Sequence, residues 1–350
     1  MQKSINVLRI ATIVLFTFII VSMFNVNVNA AVKTELPVNG STGFAAIDLN
    51  LRNGSGKVIG KIPAGKAFTI DKEVKDRFYV KYGTKYGTVY SGYVLVNLPD
   101  VIPSIVYKNT NTVHSIFMSS GQKLSGITDR KLYDAYFYNE RFKKKQFVMP
   151  VLWPMVSKIQ SAQNEALANN ETLVIYETYR PYDVQMSVSA SLSKALKTNR
   201  TVRRGIEDGQ WGKSWFIATR LSNHQRGIAM DVSLAKVTGS EIRRCGKYNY
   251  RLITGYKEYS MPSKMHELSN KAVTFSSPVS SKSTTAWKRV SLSSGMKRST
   301  GAKKLQKYCT NAGLTPLASE WWHFNDLSCP VPAGSSGRFR LSNCVSKTPQ

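Results

Sequence analysis

Two short stretches, far apart in the sequence, constrain the fold more than any other feature of this chain. Residues 222–231 read SNHQRGIAMD, and residues 320–324 read EWWHF. The chain has four histidines, and two of them, His224 and His323, fall in these stretches. If these imidazoles serve one site together with Asp231, the fold must bring both stretches to the same place.

The spacing of His224 and Asp231 constrains the local backbone. Seven residues rise about 10.5 Å on a straight helix and about 23 Å on a strand. Donor atoms at ~2.1 Å from one metal ion lie within about 4 Å of each other. The backbone must therefore fold back between the two residues, and Gly227 accepts the dihedral angles that such a turn needs. Apolar residues alternate with small or polar ones over 228–233, which predicts a strand with one face buried and the other at the site.

Glu320 and His323 are three residues apart, so they share a face on a helical turn but not on a regular strand. A turn or a bulge is implied, with aromatic residues as apolar walls. Two imidazoles, a carboxylate and a second, separate carboxylate form the residue set of a mononuclear zinc hydrolase, with three N/O ligands, an open position for water and a base. The alternative is a structural histidine in one stretch and core aromatics with an incidental ion pair in the other.

The motifs together resemble the M15 family of zinc D-alanyl-D-alanine carboxypeptidases, of the VanY type. The motifs are Ser222-x-His224-x-x-Gly227-x-Ala229-x-Asp231, Glu320-Trp321-Trp322-His323 and a supporting Tyr179-Arg180-Pro181-Tyr182-Asp183-Val184-Gln185. A weaker similarity to another family segment lies in residues 261–269. The resemblance covers roughly residues 131–326, which we expect to form an α+β zinc peptidase domain.

The resemblance implies a role for each matching residue. It implies one zinc ion per chain on His224, Asp231 and His323, Glu320 as the general base, Arg180 facing the substrate's carboxylate or developing oxyanion, and Ser222 and Gln185 near the bound peptide. The implied reaction removes the terminal D-alanine from peptidoglycan stem peptides. An L,D-carboxypeptidase, a peptidoglycan endopeptidase and a catalytically inactive wall-binding protein are the alternatives.

The segment between the two motifs departs from the family pattern. It is longer than usual, and its residues 270–301 are rich in Ser, Thr and Lys with few apolar positions. We expect a partly mobile surface insertion there. Such an insertion could reshape access of the substrate to the site.

A chain of 350 residues favours two domains, and we expect the first third to form a separate β unit. Short runs of β-forming residues alternate with Gly-containing turns over 44–98, which indicates a small all-β barrel or sandwich. This pattern resembles a bacterial SH3-like (SH3b) domain, a family whose members often bind cell-wall peptide. A spacer without a ligand is the alternative.

The second half mixes helices with strands. Helical spacing of apolar residues predicts a helix over 155–167, a second with residues 184, 188, 192 and 196 on one face, and a last one over 302–312 that Gly313 closes. Residues 173–176 predict a buried strand.

The N-terminus predicts an export signal over residues 1–30. Lys3 and Arg9 form a positively charged start, and residues 10–24 form an uncharged apolar run. Residues 28–30 match a small-residue cleavage site. A retained membrane anchor is the alternative; no other segment could span a membrane. We therefore expect a secreted or cell-wall-associated protein.

The formal net charge of +28 favours polyanionic partners. For an exported chain these are anionic cell-wall polymers, beside the peptidoglycan peptide substrate, rather than nucleic acid. The alternative is a basic surface without a defined partner. A secreted protein that binds nucleic acid or heparin has only the charge in its favour.

Four cysteines, at positions 245, 309, 329 and 344, form no CxxC pair. In an exported protein an even number suggests two disulfides with three possible connectivities. We favour Cys329–Cys344 and Cys245–Cys309, with free buried thiols as the alternative.

Overall fold

The computed structural model describes residues 35–347 of the chain, so the predicted export signal lies outside the described residues. The strands are β1 Ser41–Ala45, β2 Leu49–Arg52, β3 Val58–Ile62, β4 Ala67–Val74, β5 Arg77–Tyr82, β6 Lys85–Tyr90, β7 Val94–Asn97, β8 Val106–Tyr107, β9 Met118–Ser119, β10 Gln122–Lys123, β11 Tyr133–Asp134, β12 Tyr136–Asn139, β13 Lys144–Phe147, β14 Pro150–Leu152, β15 Glu171–Glu177, β16 Ala229–Cys245, β17 Tyr248–Glu258, β18 Thr315–Leu317, β19 Glu320–Asn325 and β20 Val345–Ser346. The helices are α1 Leu98–Val101, α2 Trp153–Ala168, α3 Tyr182–Thr198, α4 Arg200–Glu207, α5 Lys213–Phe216, α6 Ser294–Arg298 and α7 Thr300–Asn311. The mixed α+β class is confirmed.

The first sheet is antiparallel and contains the strands predicted over 44–98. Its order is β14-β7-β1-β4-β5-β6-β2-β3. Phe78 and Val80 of β5 are buried while Tyr79 between them is exposed, as expected of a sheet with one face on a core. The strand pairing runs from β14 at one edge to β3 at the other and does not close into a barrel. The small all-β unit is therefore present as an open sheet.

The second sheet carries the two sequence stretches described first. Its order is β18-β19-β16-β15-β8, with β17 paired to β16. Every residue of β15 is buried, and α2 packs against β15 and α7. The predicted helices over 155–167, 184–196 and 302–312 and the buried strand at 173–176 are confirmed by α2, α3, α7 and β15.

The two sheets share one hydrophobic core. Val96 of β7, Val151 of β14 and Val174 of β15 are buried in the same apolar cluster. Burial of side chains of this size contributes about 1.5–3 kcal/mol each. Because β14 lies beyond residue 98 and yet extends the first sheet, the N-terminal unit packs directly on the second half of the chain.

The C-terminal tail, beyond residue 326, returns to the first sheet. The Ser342 backbone N–H donates to the Gly65 carbonyl at 3.0 Å, and the Ser342 hydroxyl accepts from the Ala67 N–H at 3.2 Å. Leu341 of the tail is buried in a second apolar cluster with Val184 of α3. The tail therefore ties the two halves together, which sequence reasoning did not predict.

The four cysteines are free thiols in the structure, so neither predicted disulfide is formed. Cys245 lies half-buried at the end of β16, near the Arg141 carbonyl, whereas Cys309 is buried on the inner face of α7. Cys329 and Cys344 are buried in the second apolar cluster, and that burial raises the pKa of both thiols. Their environment is that of small apolar side chains.

The segment over 270–301 is largely irregular, as expected, but it is anchored. Phe275 and Met296 are buried, and an isolated antiparallel bridge joins Phe275 to Leu292. Over residues 35–347, no helix combines the length and the apolar character needed to cross a membrane.

Candidate metal centre

The turn over 223–227 places His224. Gly227 has a φ of +71°, in the left-handed region that the predicted fold-back requires. A Cβ at this position would lie 2.1 Å from a methyl group of Leu95, so the turn packs closely on β7. The Ser222 hydroxyl accepts from the His224 N–H at 3.3 Å, and the Ser222 N–H donates to Gln225 Oε1 at 2.7 Å.

Strands β16 and β19 bring the other donors to His224. They pair antiparallel with Asp231 directly opposite His323. The pairing of β18 with β19 shifts in register between Pro316, opposite Phe324, and Leu317, opposite Glu320. This irregularity confirms the predicted bulge and lets Glu320 and His323 line the same cavity.

Three donor atoms converge at the distances that one metal ion needs. His224 Nε2 lies 3.2 Å from His323 Nδ1, and Asp231 Oδ1 lies 3.0 Å from His323 Nδ1 and 3.4 Å from His224 Nε2. Ligands at ~2.1 Å in a tetrahedral arrangement stand about 3.4 Å apart. The three residues are also buried together. The donor set could therefore hold a metal ion, and two imidazoles with a carboxylate are among the ligands that zinc takes.

Hydrogen bonds on the far side of each imidazole fix its orientation. His224 Nδ1 lies 2.6 Å from the Thr178 carbonyl oxygen, and His323 Nε2 lies 3.0 Å from Asn325 Oδ1. Since a carbonyl oxygen only accepts, each ring places a proton on that side, and the nitrogen that faces the cluster would offer its lone pair to a bound metal ion. The Asn223 amide donates to the same Asn325 oxygen at 2.9 Å, which holds it in place.

Arg180 holds the outer oxygen of Asp231. Its Nη2 lies 3.0 Å from Asp231 Oδ2, and its Nε donates to Glu177 Oε2 at 2.7 Å. Nη1 donates to Gln185 Oε1 at 2.7 Å, and the Gln185 amide donates in turn to the Ala218 carbonyl. Arg180 is 4% exposed. Its guanidinium is thus directed into the protein, mainly toward two carboxylates.

Asp231 is held as the ionised form. Burial raises its pKa, but the neighbouring histidines outweigh that effect and keep the pKa well below its usual range. For Glu177, burial likewise raises the pKa and the charge of Arg180 lowers it below the ordinary value. Both carboxylates are therefore available as anions at neutral pH.

A second group of buried donors consists of Glu177, Asp231 and His266. Arg180 forms salt bridges with both of these carboxylates, so a second metal ion would compete with a cation for the same oxygens. The other oxygen of Glu177 accepts from Asn111 at 2.8 Å and from Tyr133 at 2.7 Å. This group therefore suits a metal ion less well than the first cluster does.

His266 is the residue of this site that sequence reasoning missed. Its Nε2 lies 3.1 Å from Asp231 Oδ2, and its ring stacks on Phe117 with centroids 4.2 Å apart. Its φ of +59° is rare for a residue with a side chain. The weak family similarity over 261–269 is the signal that could have drawn attention to it.

Glu320 stands beside the cluster without belonging to it. Its Oε2 lies 3.8 Å from His323 Nδ1. Burial raises the pKa of Glu320 to about 8. A carboxyl group with such a pKa can take up and release a proton near neutral pH.

A cavity of about 480 Å³ opens onto the cluster. Among the residues that line it are His224, His323, Glu320 and the three predicted substrate-binding residues Arg180, Ser222 and Gln185. All predicted site residues except Asp231 therefore face one cavity, and Asp231 is buried in contact with His224 and His323, which line it. Gln185 and Arg180, however, use their polar atoms mainly on protein partners.

No protein-family model matches this chain, and a comparison with curated proteins finds no significant match. The expectation of a zinc peptidase therefore depends on the motifs and on the geometry of these residues.

Proposed function

We propose that this chain is an exported zinc metallopeptidase of the cell wall that removes the terminal D-alanine from D-alanyl-D-alanine ends of peptidoglycan stem peptides. One observation carries the proposal. His224, Asp231 and His323 converge at metal-ligand distances, and the two histidines line a cavity that is also lined by a buried, separate carboxyl group, Glu320.

In this proposal the three donors would hold the ion, and Arg180, Thr178 and Asn325 keep them oriented. A bound zinc ion would supply a Lewis acid and lower the pKa of water at the open position. The ring orientations and the ionised Asp231 suit a divalent cation without rearrangement.

Glu320 moves the protons. We assign it to accept a proton from the attacking water and to deliver it to the leaving amine. Its burial supports this role, because a carboxylate removed from water is a stronger base than one on the surface.

Arg180 acts first as a positioning residue for Asp231 in this scheme. Its bonds to Glu177 and Asp231 fix the outer carboxylate oxygen of the ligand. Because it also lines the cavity, a contact with the developing oxyanion remains a prediction from the family resemblance.

Association with anionic wall polymers is the second part of the proposal. Between positions 259 and 319 the single acidic residue is Glu267, whereas Lys or Arg occurs at 264, 271, 282, 288, 289, 297, 298, 303, 304 and 307. The Glu267 carboxylate is buried and accepts from the Gly121 N–H and the Ser269 hydroxyl. Positive charge therefore dominates the exposed part of this segment, and polyanions favour such a surface. The SH3-like identity of the first sheet remains part of this proposal.

Mass spectrometry of purified muropeptides after incubation with the zinc-loaded protein tests the activity. We expect loss of the terminal D-alanine from pentapeptides and no change with Glu320→Gln protein. Cleavage within the stem or cross-bridge would instead indicate an endopeptidase, and cleavage of an L,D bond an L,D-carboxypeptidase. Unchanged muropeptides would leave only a wall-binding role.

A further inference from the structure

The residue that the resemblance assigns to the substrate's carboxylate is already engaged. Arg180 forms ion pairs with Glu177 and Asp231, and its remaining Nη1 donates to Gln185. Two buried carboxylates offset its one positive charge. A substrate carboxylate would need to compete with these partners in a buried site.

Two other cations line the same cavity. Arg226 comes from the turn that carries His224, and Lys282 comes from the irregular segment over 270–301. Both side chains are exposed. Within residues 35–347 neither head group forms a salt bridge; Arg226 has only a weak contact, 3.4 Å, with the neutral amide oxygen of Asn223.

The segment that carries Lys282 is held in place beside the cavity. Phe275 is buried and stacks on Trp287 with centroids 6.3 Å apart. The Ser276 N–H donates to the Ser291 carbonyl at 2.9 Å, and Ser281 lines the cavity next to Lys282. The predicted insertion therefore contributes a wall of the site.

The charge of the cavity favours an anionic ligand. Among the described residues that line it, Glu320 is the single carboxylate. Arg226 and Lys282 are free to approach a carboxylate, and Arg can bind one through two parallel N–H groups.

We propose that Arg226 and Lys282 bind a free carboxylate of the peptide substrate and thereby select the bond that is cut. This inference rests on the proposed peptidase function and names the specificity of that site. The carboxylate has two possible sources, the C-terminus of the peptide or an acidic side chain of the stem.

The test compares three forms of one D-alanyl-D-alanine peptide with an acidic side chain: the free acid, its C-terminal amide and its side-chain amide. The zinc-loaded proteins are wild type, Arg226→Gln, Lys282→Gln and the double variant. Arg289→Gln is the matched control, because Arg289 lies in the same segment, is exposed and does not line the cavity.

We expect the double variant to lose about tenfold to a hundredfold in kcat/KM on the free acid, since a hydrogen bond to a charged group is worth that factor. Zinc content should not change. One of the two amides should already lower kcat/KM for the wild type. On that amide the substitutions should cost little more, because the amide and the substitutions remove the same interaction. That amide identifies which carboxylate is bound.

Retention of the free-acid preference in the double variant, or equal losses on all three peptides, would overturn the inference. Dissociation constants of the same peptides for zinc-loaded Glu320→Gln protein, with and without the two substitutions, separate this outcome from failure of the proposed function. Absence of hydrolysis by the wild type would contradict the peptidase proposal, whereas unchanged carboxylate-dependent binding would contradict the roles of Arg226 and Lys282.

Discussion

The centre of the site and its rim are built in opposite ways. At the centre, His224, Asp231 and His323 are at most 7% exposed, and each presents its outer polar atom to a protein partner. At the rim, Arg226 and Lys282 are exposed and form no salt bridge with any described residue. The centre is thus arranged to hold a cation, while the rim, in the proposed function, has cationic groups available for contact with a substrate.

The largest effect should come from breaking the centre. His224→Ala, Asp231→Ala and His323→Ala should each lose most of the zinc and all measurable peptidase activity, because each removes one of three ligands. Metal analysis of the purified variants checks this. Full zinc occupancy in all three variants would show that other residues hold the ion.

Glu320→Gln separates the base from the ligands. It should keep the zinc and lose several orders of magnitude in turnover, since proton transfer is removed while the metal stays. Parallel measurement of zinc content and kcat decides the matter. If the zinc leaves with the carboxylate, Glu320 is a ligand and the division between base and ligands is wrong.

Arg180→Lys sharpens the contrast between centre and rim. Lysine cannot reproduce the planar fork that joins Glu177 and Asp231. We expect a ten- to hundredfold weaker affinity for zinc, the usual cost of losing a partner of a metal ligand. With zinc saturating, the free-acid and amidated peptides should be affected equally. A loss confined to the free acid would restore Arg180 as the receptor of the substrate's carboxylate.

Gly227→Ala tests the turn that joins the two regions. The left-handed φ and the close approach to Leu95 predict a loss of about 2–4 kcal/mol in the free energy of unfolding. Gly54→Ala is the control, because a Cβ there would meet nothing within 4 Å. Urea denaturation of both variants gives the comparison; equal stabilities would mean that the turn adapts.

The smallest effect on the chemistry should come from the basic surface away from the cavity. A triple variant with Lys271, Lys297 and Arg298 changed to Gln should sediment less with insoluble wall sacculi. Its sedimentation should also depend less on the salt concentration. Its hydrolysis of a small soluble peptide should be unchanged. Unaltered sedimentation would direct attention to the first sheet, which is better probed by surface substitutions than by deletion because β7 pairs with β14.

Local patterns in the sequence predicted much of the centre. The fold-back at Gly227, the bulge that places Glu320 and the buried strand β15 all follow from spacing and periodicity. The sequence motif identifies Arg180 as a site residue but does not predict its inward orientation. That orientation depends on the burial of Glu177 next to Asp231. The left-handed backbone of His266 has no signature in the sequence.

The rim and the tail depend on contacts between distant segments. Lys282 is one lysine of a serine-rich stretch, and its place at the cavity depends on the three-dimensional course of that stretch, which is anchored at Phe275. The long β16–β17 hairpin was also missed, since its outer half exposes side chains such as Ile242, at 51%, without a periodic apolar face. The disulfide prediction rests on the number of cysteines, which does not locate thiols in space.

Anomalous diffraction at the zinc edge from crystals of the zinc-loaded protein tests the central claim most directly. We predict one strong peak per chain, at about 2.0–2.2 Å from His224 Nε2, Asp231 Oδ1 and His323 Nδ1, with Glu320 outside bonding distance. A peak bound by Glu177 and His266 instead, or no peak at this cluster, would contradict it.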